Sequence, residues 1–158
     1  MRVAILTISD SVTRGEREDL SGPALVTRCR ELGWDVTSAL RCSDDAAEVR
    51  SQLRAVADSG HTDLLLTTGG TGLGPRDNTP EATLDVADRA IPGLAEEIRR
   101  KGAEKTPTAL LSRGVAVARH NTLIVNLPGS PKGAVESLGV IAHLLPHAVE
   151  VLRGAHHG

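Results

Sequence analysis

Apolar residues fall along this chain in short unbroken runs, separated by longer stretches where they return every three or four positions. Residues 3–8 (VAILTI) form the first run, which is brief, β-branched and without alternation, as a strand covered on both faces requires. Ser9-Asp10-Ser11 ends it, and the charged residues 12–20, which have no period, predict a loop. Ser21-Gly22-Pro23 opens a helix with Leu25, Cys29 and Leu32 on one face, and Gly33 closes it. Residues 34–40 predict a second strand. Asp44 or Asp45 then caps a helix whose apolar face is Ala46, Val49, Leu53 and Val56/Ala57. Residues 63–67 (DLLLT) predict a third buried strand.

Beyond a glycine-rich loop, Thr79 as N-cap and Pro80 at the first helical position start another helix. Ile91-Pro92-Gly93 interrupts it, and residues 94–101 resume it. The stretch GVAVARHNTLIVNLPG predicts two strands that turn at His120-Asn121 as an antiparallel hairpin. Ser130-Pro131 opens the last helix, with Ala134, Leu138, Ile141, Leu145, Ala148 and Leu152 on one stripe, and Pro146 kinks or divides it. There is no internal repeat, low-complexity tract or linker. One domain over residues 1–158 is expected, with 154–158 a frayed tail. The order β-α-β-α-β, helices, hairpin, helix predicts an α/β fold. Its sheet is mostly parallel, extended by an antiparallel strand and covered by helices on both faces. Ligands of such sheets lie beyond the carboxyl ends of the strands. That edge should gather Ser9-Asp10, the glycine loop, and residues 126–130.

Composition narrows the function. The chain has 158 residues, one Trp (Trp34) and no Phe or Tyr, so aliphatic side chains must fill the core and no aromatic platform exists for stacking bases. The net charge of −2 gives no broad footprint for a phosphate backbone. Nucleic acid is therefore not an expected partner. The 18 cationic residues are almost all Arg, which favours planar contacts to carboxylate or phosphate where they converge. Cys29 and Cys42, without CxxC spacing, read as free thiols of a reducing compartment. Residues 2–6 are followed at once by Thr, Ser and Asp, unlike a signal peptide, and no apolar run approaches the ~20 residues of a membrane span. A cytoplasmic protein without membrane contact is the expectation.

The chemistry concentrates in two loops. In TTGGTGLGPRDNTPEAT, Gly69, Gly70, Thr71 and Gly72 allow positive φ and let backbone N–H groups face one concavity, which suits an anion. The helix that follows adds a positive dipole end. Glycine content alone fits a ligand-free turn equally well. A P-loop is excluded, because Gly74-Pro75-Arg76 stands where Gly-Lys-Ser/Thr is needed; the GxGxxG fingerprint is excluded because its third glycine is misplaced. Asp77 changes the balance. A carboxylate beside an anion site is repulsive unless a cation lies between them, and Mg²⁺ bridging a carboxylate and substrate phosphates is the usual arrangement. Asp77 is thus the candidate metal ligand, and Arg76 a candidate phosphate contact; a surface Arg76–Asp77 ion pair is the plainer alternative. In NLPGSPKG, Gly129 turns, Ser130 caps a helix and Lys132 projects near its start, a second anion-friendly terminus or an ordinary junction. Ser9 and Asp10 after the first strand line the same edge or satisfy local backbone. The six histidines show no metal spacing, and no serine occupies a GxSxG elbow.

These residues resemble the signature of the molybdopterin-binding family of molybdenum cofactor biosynthesis, in particular its small stand-alone bacterial members. The resemblance continues through TISDS, DLSGPAL, PTALLSRGVAV and NLPGSPKG, and so covers nearly the whole chain. It implies a three-layer αβα fold, a homotrimer, and contacts with other proteins of cofactor biosynthesis. It also implies adenylyl transfer: ATP and molybdopterin as substrates, Mg²⁺, and adenylylated molybdopterin and pyrophosphate as products. The family's two required aspartates fall on Asp77 and on Asp44, with Asp45 leaving a one-residue ambiguity. Two other functions stay open: a non-catalytic molybdopterin-binding protein of the same family, and a regulatory module that binds ATP without pterin.

Overall fold

Six strands alternate with helices over residues 1–154, which a computed structural model of the chain describes. The expected frayed tail lies outside these residues except for Gly154. In chain order the elements are β1 (Arg2–Ile8), α1 (Asp10–Thr13), α2 (Ser21–Glu31), β2 (Asp35–Cys42), α3 (Ala46–Asp58) and β3 (Leu64–Thr68). There follow α4 (Thr79–Val86), β4 (Arg89–Ala90), α5 (Pro92–Lys105), a 3-10 turn (Pro107–Leu111), β5 (Ala116–Arg119) and β6 (Thr122–Leu127). The last elements are α6 (Pro131–Ile141), a 3-10 turn (Ala142–Leu144) and α7 (Leu145–Leu152).

The strands form one sheet in the order β2-β1-β3-β6-β5-β4. The first four are mutually parallel, and β5 runs antiparallel to both β6 and β4. The α/β class is as read from the pattern, with the parallel strands extended by an antiparallel one. Alternation along each buried strand feeds two cores. Val3, Ile5, Leu64, Leu66, Leu123 and Val125 face Leu25, Cys29, Leu138, Ile141 and Leu145 on one side. Ala4, Leu6, Ile8, Leu65 and Ile124 face Val49, Leu53, Ala82 and Val86 on the other. Each fully buried Leu or Ile contributes roughly 1.5–3 kcal/mol by leaving water, so aliphatics dominate both layers, with Trp34 packed against the first. Burial raises the thiols of Cys29 to about 11 and Cys42 to about 12, which leaves both inert as nucleophiles at neutral pH.

Several local expectations need correction. The loop expected over residues 12–20 gives up residues 12 and 13 to a helical turn over 10–13, because the Ser9 hydroxyl accepts the Val12 N–H and seats Val12 in the interior. Thr79 is the first helical residue and Asn78 the cap position, since the Thr79 hydroxyl is spent donating to Gly69 O at 3.0 Å. The helix from Thr79 ends at Val86; two edge residues pair with β5 before Pro92 starts a separate helix. The final helix is divided, with Pro146 in the first turn of α7. By length and composition residues 131–152 do suffice to cross a membrane, against the sequence expectation, yet their stripe of Ala134, Leu138, Ile141, Leu145 and Val149 is buried in this core.

The registers decide where chemistry gathers. Ile8 pairs with Cys42, Thr7 with Thr68, and Thr68 with Leu127, so β1, β2, β3 and β6 all end at one level. The chain leaves β1 toward β2 on one side and later inserts β3 on the other. A crevice opens where the direction of winding reverses, between β1 and β3.

Candidate functional site

At that crevice lies a cleft of about 540 Å³, lined by Ser9, Asp10, Asp44, Gly69, Gly70, Asp77, Gly129 and Ser130 among others. The glycine loop is built by close approach. Gly69 has φ +105°, and a Cβ there would lie 2.2 Å from the Ile8 carbonyl oxygen; Gly70 has φ +69°, and its Cβ would meet the Thr79 hydroxyl at 2.2 Å. Gly69 N–H continues the sheet by donating to Leu127 O at 3.2 Å, and is therefore not available to a ligand. Among the described residues, the N–H groups of Gly70, Thr71 and Gly72 have no protein acceptor. They are open donors of the loop, and the N–H groups of Leu73 and Arg76 likewise have no acceptor among the described residues.

Asp10, Asp44 and Asp77 bring carboxylates to the same cleft, which Glu18 and Asp19 also line. Asp44 and Asp10 interlock: Asp10 N–H donates to Asp44 Oδ2 at 2.9 Å, and Asp44 N–H donates to Asp10 Oδ1 at 3.0 Å. Asp45 does something else, accepting the Glu48 N–H to cap α3. The geometry thus separates two residues that the sequence left ambiguous. Asp77 accepts the Gly74 N–H at 2.9 Å, and a Cβ on Gly72 or Gly74 would come within 2.9 Å of its Oδ2. Arg76 does not pair with Asp77. Its guanidinium takes Asp10 in a fork, at 3.0 and 3.1 Å, and so joins the first loop to the glycine loop. That contact holds the Asp10 carboxyl below the usual carboxylate value.

Asp44 moves the opposite way: burial, helped by the charges of Asp10 and Asp77, raises its pKa above 3.8, while the Asp10 N–H and Arg76 oppose the shift. The folded chain then holds this proton to a higher pH than the unfolded chain. As pH climbs from 3.8 through the raised value, Asp44 takes stability away. We expect Asp44→Asn to raise the thermal midpoint of the ligand-free protein at pH 7, with the gain shrinking as the pH falls toward 3.8. Thermal denaturation across pH checks this; a lower midpoint for the variant at pH 7 would contradict it.

A second cleft, of about 950 Å³, lies across the glycine loop and is lined by Thr71, Gly72, Leu73, Ser130 and Lys132. Lys101 and Lys105 line it as well, so every lysine of the chain is here. Lys132 thus stands apart from Asp44 and Asp77, although Ser130 borders both clefts. Ser130 caps α6, accepting the Gly133 N–H at 3.1 Å. Sequence reasoning missed Asp19, whose carboxylate takes the Gly22 N–H at 3.0 Å and pairs with Arg41 at 3.3 Å beside the first cleft. An acid three positions before a helix glycine was the available signal. It also missed Arg14 and Arg17, cations in that lining with no local pattern to mark them.

Among the described residues no three His, Cys, Asp or Glu side chains are arranged to hold a metal ion by themselves. Mg²⁺ does not need such a cage, since it keeps several waters and binds through one or two carboxylates together with substrate phosphates. Asp44 and Asp77, acidic neighbours in a partly desolvated cleft, fit that demand.

A mostly parallel sheet with a glycine loop and paired acids at its switch point defines an α/β protein with a polar cleft at the carboxyl ends of its strands. Residues 4–147 match the family described as "Probable molybdopterin binding domain". The chain belongs to that family. It is 37% identical, over 98% of its length and 86% of the relative's, to the molybdopterin adenylyltransferase of Escherichia coli K12. It is 35% identical to the molybdenum cofactor biosynthesis bifunctional protein of Synechococcus elongatus, and spans about half (48%) of that relative's length. Among solved structures, the molybdopterin biosynthesis enzyme MoaB of Thermus thermophilus matches with a TM-score of 0.91 at 49% identity, covering 98% of this chain and 97% of that one. The protein acts in molybdenum cofactor biosynthesis.

Proposed function

We propose that this protein transfers AMP from ATP to the terminal phosphate of molybdopterin. A phosphate oxygen of molybdopterin forms a bond to the α-phosphorus of ATP. The bond from that phosphorus to the oxygen bridging the β-phosphorus breaks, and pyrophosphate leaves. The products are adenylylated molybdopterin and pyrophosphate. The observation that carries this reading is the glycine loop as a shared wall. Gly69, Gly70 and Asp77 line one cleft, Thr71 and Gly72 line the other, and Ser130 borders both. Two anionic reactants, one in each cleft, would meet across this loop. The relatives named molybdopterin adenylyltransferase, similar over nearly the whole chain, support the same activity.

The nucleophile is already anionic at neutral pH, so no strong base is required. The obstacle is repulsion between reactants, which positioning and fixed dipoles must overcome. The N–H groups of Gly70, Thr71 and Gly72 and the capped start of α6 are pre-oriented donors that need no rearrangement. Asp77 and Asp44 would hold Mg²⁺, which when bound neutralises phosphate charge. Arg76 becomes a phosphate contact once it exchanges Asp10 for substrate, and Lys132 adds positive charge from the second cleft.

The test is one assay of the purified chain with molybdopterin, ATP and Mg²⁺, following pyrophosphate. Release that requires molybdopterin supports transfer. Release without it indicates hydrolysis, and binding without turnover indicates a carrier of the pterin. The homotrimer and contacts with other biosynthetic proteins belong to the same proposal. Exposed Leu73, Leu110 and Leu111 supply apolar surface for assembly, and light scattering should report the mass of three chains.

A further inference from the structure

Arg113 lies 36 residues beyond Asp77 and lines neither cleft, yet its guanidinium donates two hydrogen bonds to the backbone of the glycine loop. Its Nε donates to Gly72 O at 2.8 Å, and one terminal nitrogen donates to Asp77 O at 2.7 Å. The other terminal nitrogen reaches both carboxylate oxygens of Glu81, at 2.8 and 2.7 Å, in the first turn of α4. Its own backbone N–H donates to Thr71 O at 2.9 Å. One guanidinium therefore ties both ends of the segment 72–77 to the helix that follows. The arginine is itself fixed from behind. Arg99 on α5 donates to Gly114 O at 2.7 Å and Ser112 O at 3.4 Å, gripping the backbone on either side of it.

We propose that Arg113 is a positioning residue for adenylyl transfer: it fixes the curvature of the loop and so the direction in which Asp77 presents its carboxylate. This rests on the proposed activity. The physical argument is one of shape. Residues 72–77 contain two glycines and one internal bond of their own between backbone groups, Asp77 N–H to Gly74 O at 3.0 Å. Such a segment explores many conformations unless an outside group selects one. Two carbonyls and a carboxylate facing different edges of one planar group are met by a guanidinium fork and not by an ammonium, which is a single point charge.

The test compares the wild type with Arg113→Gln and Arg113→Lys. In both variants we expect kcat for pyrophosphate release to fall by about 30- to 100-fold, the scale of a misplacement near 1 Å. KM for ATP and molybdopterin should move less than about threefold. Deuterium uptake at residues 71–77 should rise in both, without comparable change in β1, β3 or β6. A lysine variant with wild-type kcat and loop protection would overturn the proposal, because charge alone would then suffice. So would unchanged uptake in the glutamine variant, or a loss carried by KM. If the wild type releases no pyrophosphate, the adenylyltransferase reading fails, whereas the exchange measurement still decides whether Arg113 holds the loop.

Discussion

Asp77→Asn should lower the rate of molybdopterin-dependent pyrophosphate release by about 10²–10³-fold, the range for removing one electrostatic element from a reacting site. The fold should survive. The Asn carboxamide oxygen can still accept the Gly74 N–H that Asp77 accepts at 2.9 Å, and the Asp77 carbonyl that Arg113 holds is backbone. The variant loses only the negative charge. If that charge served merely to close a turn, activity would be unaffected. If it recruits a cation between like-charged reactants, activity collapses while the circular dichroism spectrum and thermal midpoint stay near those of the wild type. Full turnover by the Asn variant would sink the role given to Asp77. Pterin binding, followed by fluorescence titration, should persist.

Gly69→Ala should be among the most destabilising single-methyl changes in the chain. Its φ of +105° is disallowed for alanine, and the added Cβ would sit 2.2 Å from the Ile8 carbonyl oxygen. That oxygen is backbone at the end of a central strand and cannot swing away. Strain and overpacking together should cost roughly 3 kcal/mol or more. For a domain of this size this lowers the midpoint by about 6–12 °C. Gly15→Ala is the control. Gly15 also has positive φ, +74°, but a Cβ there meets nothing within 4 Å. Only the left-handed backbone penalises it, by about 1–2 kcal/mol. Equal losses at the two sites would mean that the contact with Ile8 is absent in solution. The comparison also bears on function, because this approach is what lets the loop turn over the end of β1.

Much of this architecture was readable from the chain. VAILTI and the LLLT of DLLLT announced strands covered on both faces, since neither run carries a charge, and both are interior to the sheet. The hairpin at His120-Asn121 was legible because two β-branched runs are separated by a polar pair. Where the reading slipped, a side chain had a distant use. Thr79 looked like a cap because capping is what Thr ordinarily does before Pro, but its hydroxyl donates to Gly69 O, ten residues earlier. Residues 12–20 looked uniformly like loop because one turn of helix is too short to show a period.

Sequence by itself determined the main strands and helices, the glycine loop and the acids that accompany it, because hydrophobic periodicity and backbone permissiveness are local properties. It did not determine which charges meet. Arg76 pairs with Asp10, 66 residues away in sequence, rather than with adjacent Asp77, and Asp44 turns to the cleft while Asp45 caps a helix. Nor did it reveal that Arg113 grips the loop, or that Lys132 belongs to a different cleft from Asp44 and Asp77. Those pairings follow from strand register and from which side of the sheet each crossover takes. They exist only once parallel strands have closed the long intervals of chain that separate these residues.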